Sequence, residues 1–161
     1  MAGKPGYLWD TYETTPKMST YLLAWVVFKM ESAKSKSKRG VKFEAFYGNA
    51  SLMQHAADVG AKILDFFEQK IFVGINYNLP KMDFVAVPNL KCLAMENWGM
   101  VTFCPENVIY SEEKRDKDTI KNDEIIAHEL VNSFASSLDA KLNLTPIQAH
   151  QWAGNLVTCA W

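Results

Sequence analysis

The apolar and polar positions change period along the chain, and each period predicts an element. Residues 19–30 alternate loosely and are rich in aromatic and β-branched side chains, which predicts a strand. Glu31 to Arg39 is a serine- and lysine-rich run ending at Gly40, the composition of a polar turn. Val41 to Tyr47 predicts the returning strand. The period then lengthens. Leu52, Ala56, Val59, Ile63, Phe66 and Phe67 recur mainly at spacings of three and four, which predicts an amphipathic helix over 51–70. Lys81 to Val87 predicts a strand stopped by Pro88, and Met100 to Phe103 a further short strand. Residues 111–118 form a charged loop. A helix starts near Asp118 or Thr119, either of which can cap it, and runs through Ile125, Ile126 and Leu130. Beyond it, Phe134, Leu138 and Leu142 keep a helical spacing until Pro146, which ends a helix.

Composition narrows the class without naming a chemistry. A chain of 161 residues with 48% apolar and 22% charged residues can bury one modest core. A net charge of −1 gives no sign of a nucleic-acid partner. The basic residues Lys34, Lys36, Lys38 and Arg39 read as a solvated hairpin tip rather than an anion site. Cys92, Cys104 and Cys159 show no C-x-x-C spacing, and small buried or half-buried side chains are the simplest reading of them. The start has no secretory leader pattern, and the longest apolar run, Tyr21 to Phe28, is too short to be a transmembrane segment. Asn49-Ala50-Ser51 and Asn143-Leu144-Thr145 match the glycosylation acceptor pattern and lean weakly toward a secretory route.

The chemistry is carried by a motif in two halves. His128-Glu129-Leu130 stands apart from Ala149-His150-Gln151-Trp152, with residues 131–148 between. Joined, they spell the H-E-x-x-H helix of a zinc peptidase. Two histidines four apart lie on one helix face and can reach one ion, and the glutamate beside the first can take a proton from metal-bound water. In the continuous chain the position four after His128 is Asn132, an amide that zinc does not favour. Taken alone, the His-Glu pair also fits an ordinary half-buried helix face. His55, inside the first predicted helix, reads as a surface or packed residue.

A second motif, Leu93-Ala94-Met95-Glu96-Asn97-Trp98-Gly99, lies upstream of the first. Together they resemble the zinc aminopeptidase family of aminopeptidase N and the puromycin-sensitive aminopeptidase, whose patterns are G-A-M-E-N-W-G and H-E-L-A-H-Q-W-F-G-N-L-V-T. The stretches 14–22 and 78–83 are similar to that family too, so the resemblance covers nearly all of the chain except 131–148.

The resemblance implies an α+β fold: the end of an N-terminal β domain over 1–47, then the first part of a thermolysin-like catalytic domain over 48–161. It implies a chain truncated at its N-terminus and a peptidase that releases N-terminal residues from peptide substrates with a free N-terminus. Glu96 would bind the substrate α-amine, and Ala94 and Met95, with Asn97, would line the substrate backbone. The strand 100–103 would lie at the sheet edge that holds it. His128 and His150 would be Zn2+ ligands and Glu129 the general base. The chain departs from the pattern in three ways. Leu93 replaces a glycine, 131–148 separates the histidines, and the family's third ligand lies beyond Trp161. Segment 131–148 reads as an insertion or as retained intron sequence. The alternative function is a non-catalytic peptide-binding relative that has lost the zinc site. The block at 14–20 leans toward a membrane-anchored ectodomain, with the cytoplasm as the alternative.

Overall fold

Five short strands form one mixed sheet in the order β1-β2-β3-β5-β4. They are β1 (Glu31–Lys36), β2 (Lys42–Tyr47), β3 (Lys81–Ala86), β4 (Ala94–Asn97) and β5 (Met100–Phe103). Among the described residues, two α-helices accompany them, α1 (Gln54–Phe66) and α2 (Asp116–Leu142). The α+β class is as expected. These coordinates are a computed structural model. It describes residues 6–15, 18, 20–111 and 116–142, with side chains of α2 described as far as Phe134.

The outer strand arises where polar composition predicted a turn. β1 pairs antiparallel with β2, from Glu31 opposite Tyr47 to Lys36 opposite Lys42. Within it only Ala33 is buried, while Glu31, Lys34 and Lys36 are exposed. Lysines along a sheet margin discourage pairing with another chain, so an edge strand can be polar. The apolar stretch expected as a strand is instead a 3-10 turn, Thr20–Leu22, followed by irregular chain. Trp25 and Val27 there are 78% and 95% exposed.

β2 and β3 run parallel, which requires a crossover, and α1 supplies it. The boundary expected between 47 and 48 therefore falls inside one sheet, in the connection from β2 to α1. Asn49 caps the 3-10 turn Ala50–Met53 that leads into α1, accepting from the Ser51 amide at 3.1 Å. The helix turns a small-residue face inward: Ala56, Ala57, Gly60, Ala61 and Leu64 are buried. This face is rotated from the one expected. Phe66 is exposed, and Val59 and Ile63 only flank the core. The reason is the sheet's own bulk. Phe43, Phe84 and Phe103 stack edge-on across it, so the helix must bring small side chains to them. A Cβ on Gly60 would stand 2.7 Å from the Phe84 ring.

At the other side, β4 and β5 form a tight hairpin closed by Trp98 and Gly99. Gly99 has φ +71°, a conformation that glycine adopts without strain. The Trp98 amide donates to the Leu22 carbonyl at 2.9 Å, tying the hairpin tip to the N-terminal 3-10 turn. β5 lies between β3 and β4, so the strand expected at the edge is interior, and β4 is the edge strand.

Helix α2 begins at Asp116, slightly earlier than expected, and continues without a break through Leu142. It packs on α1 and β4. Its buried residues include Asn122, Ile126, Glu129, Leu130, Val131, Asn132, Ser133 and Phe134. The first residues of segment 131–148 are thus core residues of this helix. The Phe134 ring stacks on Phe72 with centroids 4.4 Å apart and planes 10° from parallel.

Candidate active site

Two carboxyl groups meet where β4 packs against α2. Glu96 occupies the third position of β4, opposite Val101 of β5, and is buried. Glu129 projects from α2 and is buried as well. Their side chains share a hydrogen bond. Burial, and then the neighbouring Glu96 carboxyl, push the Glu129 carboxyl up to about 8. Two carboxylates this close resist ionising together, and desolvation adds to that resistance. Glu129 in this arrangement carries a proton at neutral pH.

The rest of the β4 segment is held from behind. Ala94 and Met95 are half-buried on the edge strand. Asn97 is buried and its Oδ1 accepts from the Thr102 hydroxyl at 3.4 Å, so it braces the hairpin from within. The Leu93 carbonyl accepts from the Cys104 amide at 3.0 Å and from Asn107 Nδ2 at 3.3 Å. The Leu93 side chain, which stands where the resemblance has a glycine, is 57% exposed and so needs no room inside.

On α2, His128 is half-buried beside Glu129. Along this turn of α2, three buried polar atoms have no hydrogen-bond partner among the described residues: Glu129 Oε2, Asn132 Oδ1 and Ser133 Oγ. Buried polar groups are nearly always satisfied, so such a cluster marks a place built to meet a polar group or water.

Those residues do not amount to a zinc site. Zinc takes three protein ligands in a catalytic centre. Among the described residues, no group of three or more His, Cys, Asp or Glu side chains could hold a metal ion. Asn132 occupies the position four after His128, and His150 lies outside the described residues. What this part of the chain offers is one histidine, an acid pair and an amide.

Comparison with known proteins bears on the origin of this arrangement. Residues 55–138 match the Peptidase family M1 domain. The chain belongs to peptidase family M1. The match covers α1 from its second residue, the whole of β3, β4 and β5, and α2 past Phe134, and so includes part of segment 131–148. Family M1 is zinc-dependent in general. Aminopeptidase 2, mitochondrial, of Saccharomyces cerevisiae is 41% identical over 160 residues, 98% of this chain and 15% of that protein. Endoplasmic reticulum aminopeptidase 2 of Bos taurus is 35% identical over 159 residues, 97% of this chain and 15% of that protein. Aminopeptidase N of Mus musculus is 34% identical over 165 residues, again 15% of its length. The chain thus spans a small part of each of these M1 aminopeptidases. Their names place the shared sequence in more than one compartment. Among the described residues, no helix is long and apolar enough to cross a membrane.

His55, expected to be a surface or packed helix residue, is packed. Its ring lies 3.9 Å from that of Tyr110, and its Nε2 is 3.2 Å from Asp123 Oδ1. The Tyr110 hydroxyl donates to the same oxygen. This cluster pins the start of α1 to α2 six residues before Glu129. The three residues lie far apart in sequence, and no local pattern joins them.

Proposed function

We propose that this chain is the amine-recognising part of an aminopeptidase that releases N-terminal residues from peptides. The observation that carries the reading is the buried Glu96–Glu129 pair at the end of an edge strand. A peptide laid along β4 runs beside Ala94 and Met95, and its N-terminal ammonium reaches the acids. The ammonium supplies the positive charge that a pair of carboxyls lacks, and a charge-assisted hydrogen bond forms. Such a contact is worth about 1.5–3 kcal/mol. A substrate with a blocked N-terminus leaves Glu96 facing a neutral amide, which accounts for exopeptidase selectivity.

Hydrolysis asks for more than recognition. In the family reading Glu129 is the general base and His128 and His150 hold zinc. In the continuous chain Asn132 stands at the position of the second ligand, an amide that zinc does not favour. This favours a second reading for the chain as written: a peptide-binding relative that no longer cleaves. An ectodomain on a membrane surface remains the preferred setting in either case, on the strength of the 14–20 block.

The experiment joins two measurements on the purified protein. A peptide with a free N-terminus should bind at least about tenfold more tightly than its acetylated form, the ratio that 1.4 kcal/mol produces. Glu96→Gln should erase that ratio. Equal binding of the two peptides by the parent protein overturns amine recognition. Zinc content, with an aminoacyl-anilide assay, then separates the readings: bound zinc with turnover favours the enzyme, and binding without either favours the relative.

A further inference from the structure

Two of the chain's three cysteines meet at the open end of the β4–β5 hairpin. Cys92 is exposed and lies in the bend at 91–93 that leads into β4. Cys104 is buried and directly follows β5. The Cys104 thiol donates to the Leu90 carbonyl at 3.1 Å and to the Cys92 carbonyl at 3.2 Å. A carbonyl oxygen stands about 2.4 Å from its own Cα, so Cys104 Sγ is at most about 5.6 Å from the Cys92 Cα. In a disulfide the partner sulfur stands within about 4.5 Å of that Cα, so the bound leaves on the order of 1 Å to be closed. Closing it takes rotation of the Cys92 side chain and a shift of residues 91 and 92, which precede the Leu93 carbonyl that accepts from the Cys104 amide.

We propose that Cys92 and Cys104 are a peroxide-responsive pair whose disulfide locks the base of the hairpin carrying Glu96. The exposed Cys92 reacts first. Its thiolate sulfur attacks hydrogen peroxide, forming an S–O bond as the O–O bond breaks. The sulfur becomes a sulfenic acid and the peroxide is reduced to water. The Cys104 sulfur then attacks the Cys92 sulfur. An S–S bond forms, the S–O bond breaks, and the second water leaves with the Cys104 proton. Burial, and then Glu106, hold the Cys104 thiol above its ordinary range, which suits a resolving partner rather than the first target.

The closed loop holds little besides β4, its turn and β5. In the reduced protein the entry to β4 is held by the Leu93 carbonyl and by the two thiol hydrogen bonds. The disulfide replaces those weak thiol contacts with a covalent one. Its effect falls on the path of the strand that carries Ala94, Met95 and Glu96. The inference stands independently of what that strand binds.

The test uses the full chain in a Cys159→Ser background, treated with equimolar hydrogen peroxide, then alkylated without reduction and cut with trypsin. No lysine or arginine lies between Lys91 and Lys114, so both cysteines fall in one peptide. That peptide should lose the two thiol hydrogens and take up no alkyl group. Amide exchange across the hairpin should slow by about tenfold or more, as local opening becomes rarer. Cys92→Ser should abolish both changes. Cys92 is exposed, so this variant should keep the parent melting temperature. A peptide carrying oxygen on Cys92 while Cys104 still alkylates overturns the proposal. A disulfide linking two chains overturns it equally.

Discussion

Glu129 of α2 and Glu96 of β4 share a hydrogen bond inside the interface between helix and edge strand. Each is buried, and they come from the two motifs that stood apart in the sequence. A pair of acids packed away from water is an unstable thing to build, unless a proton or a cation joins it. The fold supplies a proton when nothing else is bound. That single relationship connects the stability of the chain with what its site can recognise.

The first prediction concerns pH in the metal-free protein. The Glu129 carboxyl is raised to about 8, against an ordinary value of 4.5. The folded state therefore keeps a proton that the unfolded state has already released. Stability is fully present below the unfolded value and is lost as pH rises through the folded one. The unfolding free energy read from urea titrations should fall between about pH 5 and about pH 8.5, by an amount on the order of a few kcal/mol, and the midpoint with it. Glu129→Gln keeps the shape and removes the charge, so its midpoint should change much less over that range. A midpoint that rises with pH in the parent, or an equal fall in the variant, contradicts the assignment.

The second concerns metal. Asn132 is 4% exposed and its Oδ1 has no hydrogen-bond partner among the described residues. Asn132→His places two histidines four apart on α2. Deleting residues 131–148 does the same by another route, since it brings His150 into the same helical position and Trp152 into that of Phe134. Both variants should bind zinc at least about tenfold more tightly than the parent, measured by equilibrium dialysis with elemental analysis. If neither gains metal, the helix does not present these positions to a common ion.

The sequence was legible where periodicity and chemistry coincide. β3 and α2 lie close to their expected positions because burial on one face leaves a clear pattern. β1 did not, because a polar edge strand needs only Ala33 to point inward, and serine and lysine composition resembles a turn. The inward face of α1 was misread for a related reason. Alanine and glycine carry little hydrophobic signal, yet they are what fits beneath Phe43 and Phe84. At the site, Glu96 and Glu129 were each legible as motif residues. Their direct contact was not, because it depends on how α2 crosses β4. Asn107, which fixes the entry to β4 through Leu93, left no local signature at all.

The third prediction tests whether the residues after Leu130 belong to the fold. Phe134 is fully buried and stacked on Phe72. Phe134→Ala removes that ring and leaves a cavity, so unfolding free energy should drop by about 3–5 kcal/mol. Chemical denaturation with parent and variant side by side reads the difference directly. A loss below about 1 kcal/mol, the scale of ordinary surface changes, would mean that the helix ends its structural role near Leu130.

The last prediction concerns the contact that sets the spacing of α1 from the sheet. Alanine normally favours a helix interior over glycine by about 0.8–1 kcal/mol, so Gly60→Ala would stabilise α1 in isolation. In the fold the added Cβ meets the Phe84 ring at 2.7 and 2.8 Å and the Phe43 ring at 3.0 Å. Both rings are nearly inaccessible and stack on each other at 5.6 Å between centroids, so neither has free space to move into. Overpacking of this kind costs about 1–3 kcal/mol and outweighs the helix propensity gained. Gly60→Ala should therefore lower the melting temperature. The double variant Gly60→Ala with Phe84→Leu, which trades the ring for a shorter side chain, should recover part of the loss. A stabilised single variant would show that α1 can rise from the sheet at little cost, and that the small-residue face reflects propensity rather than fit.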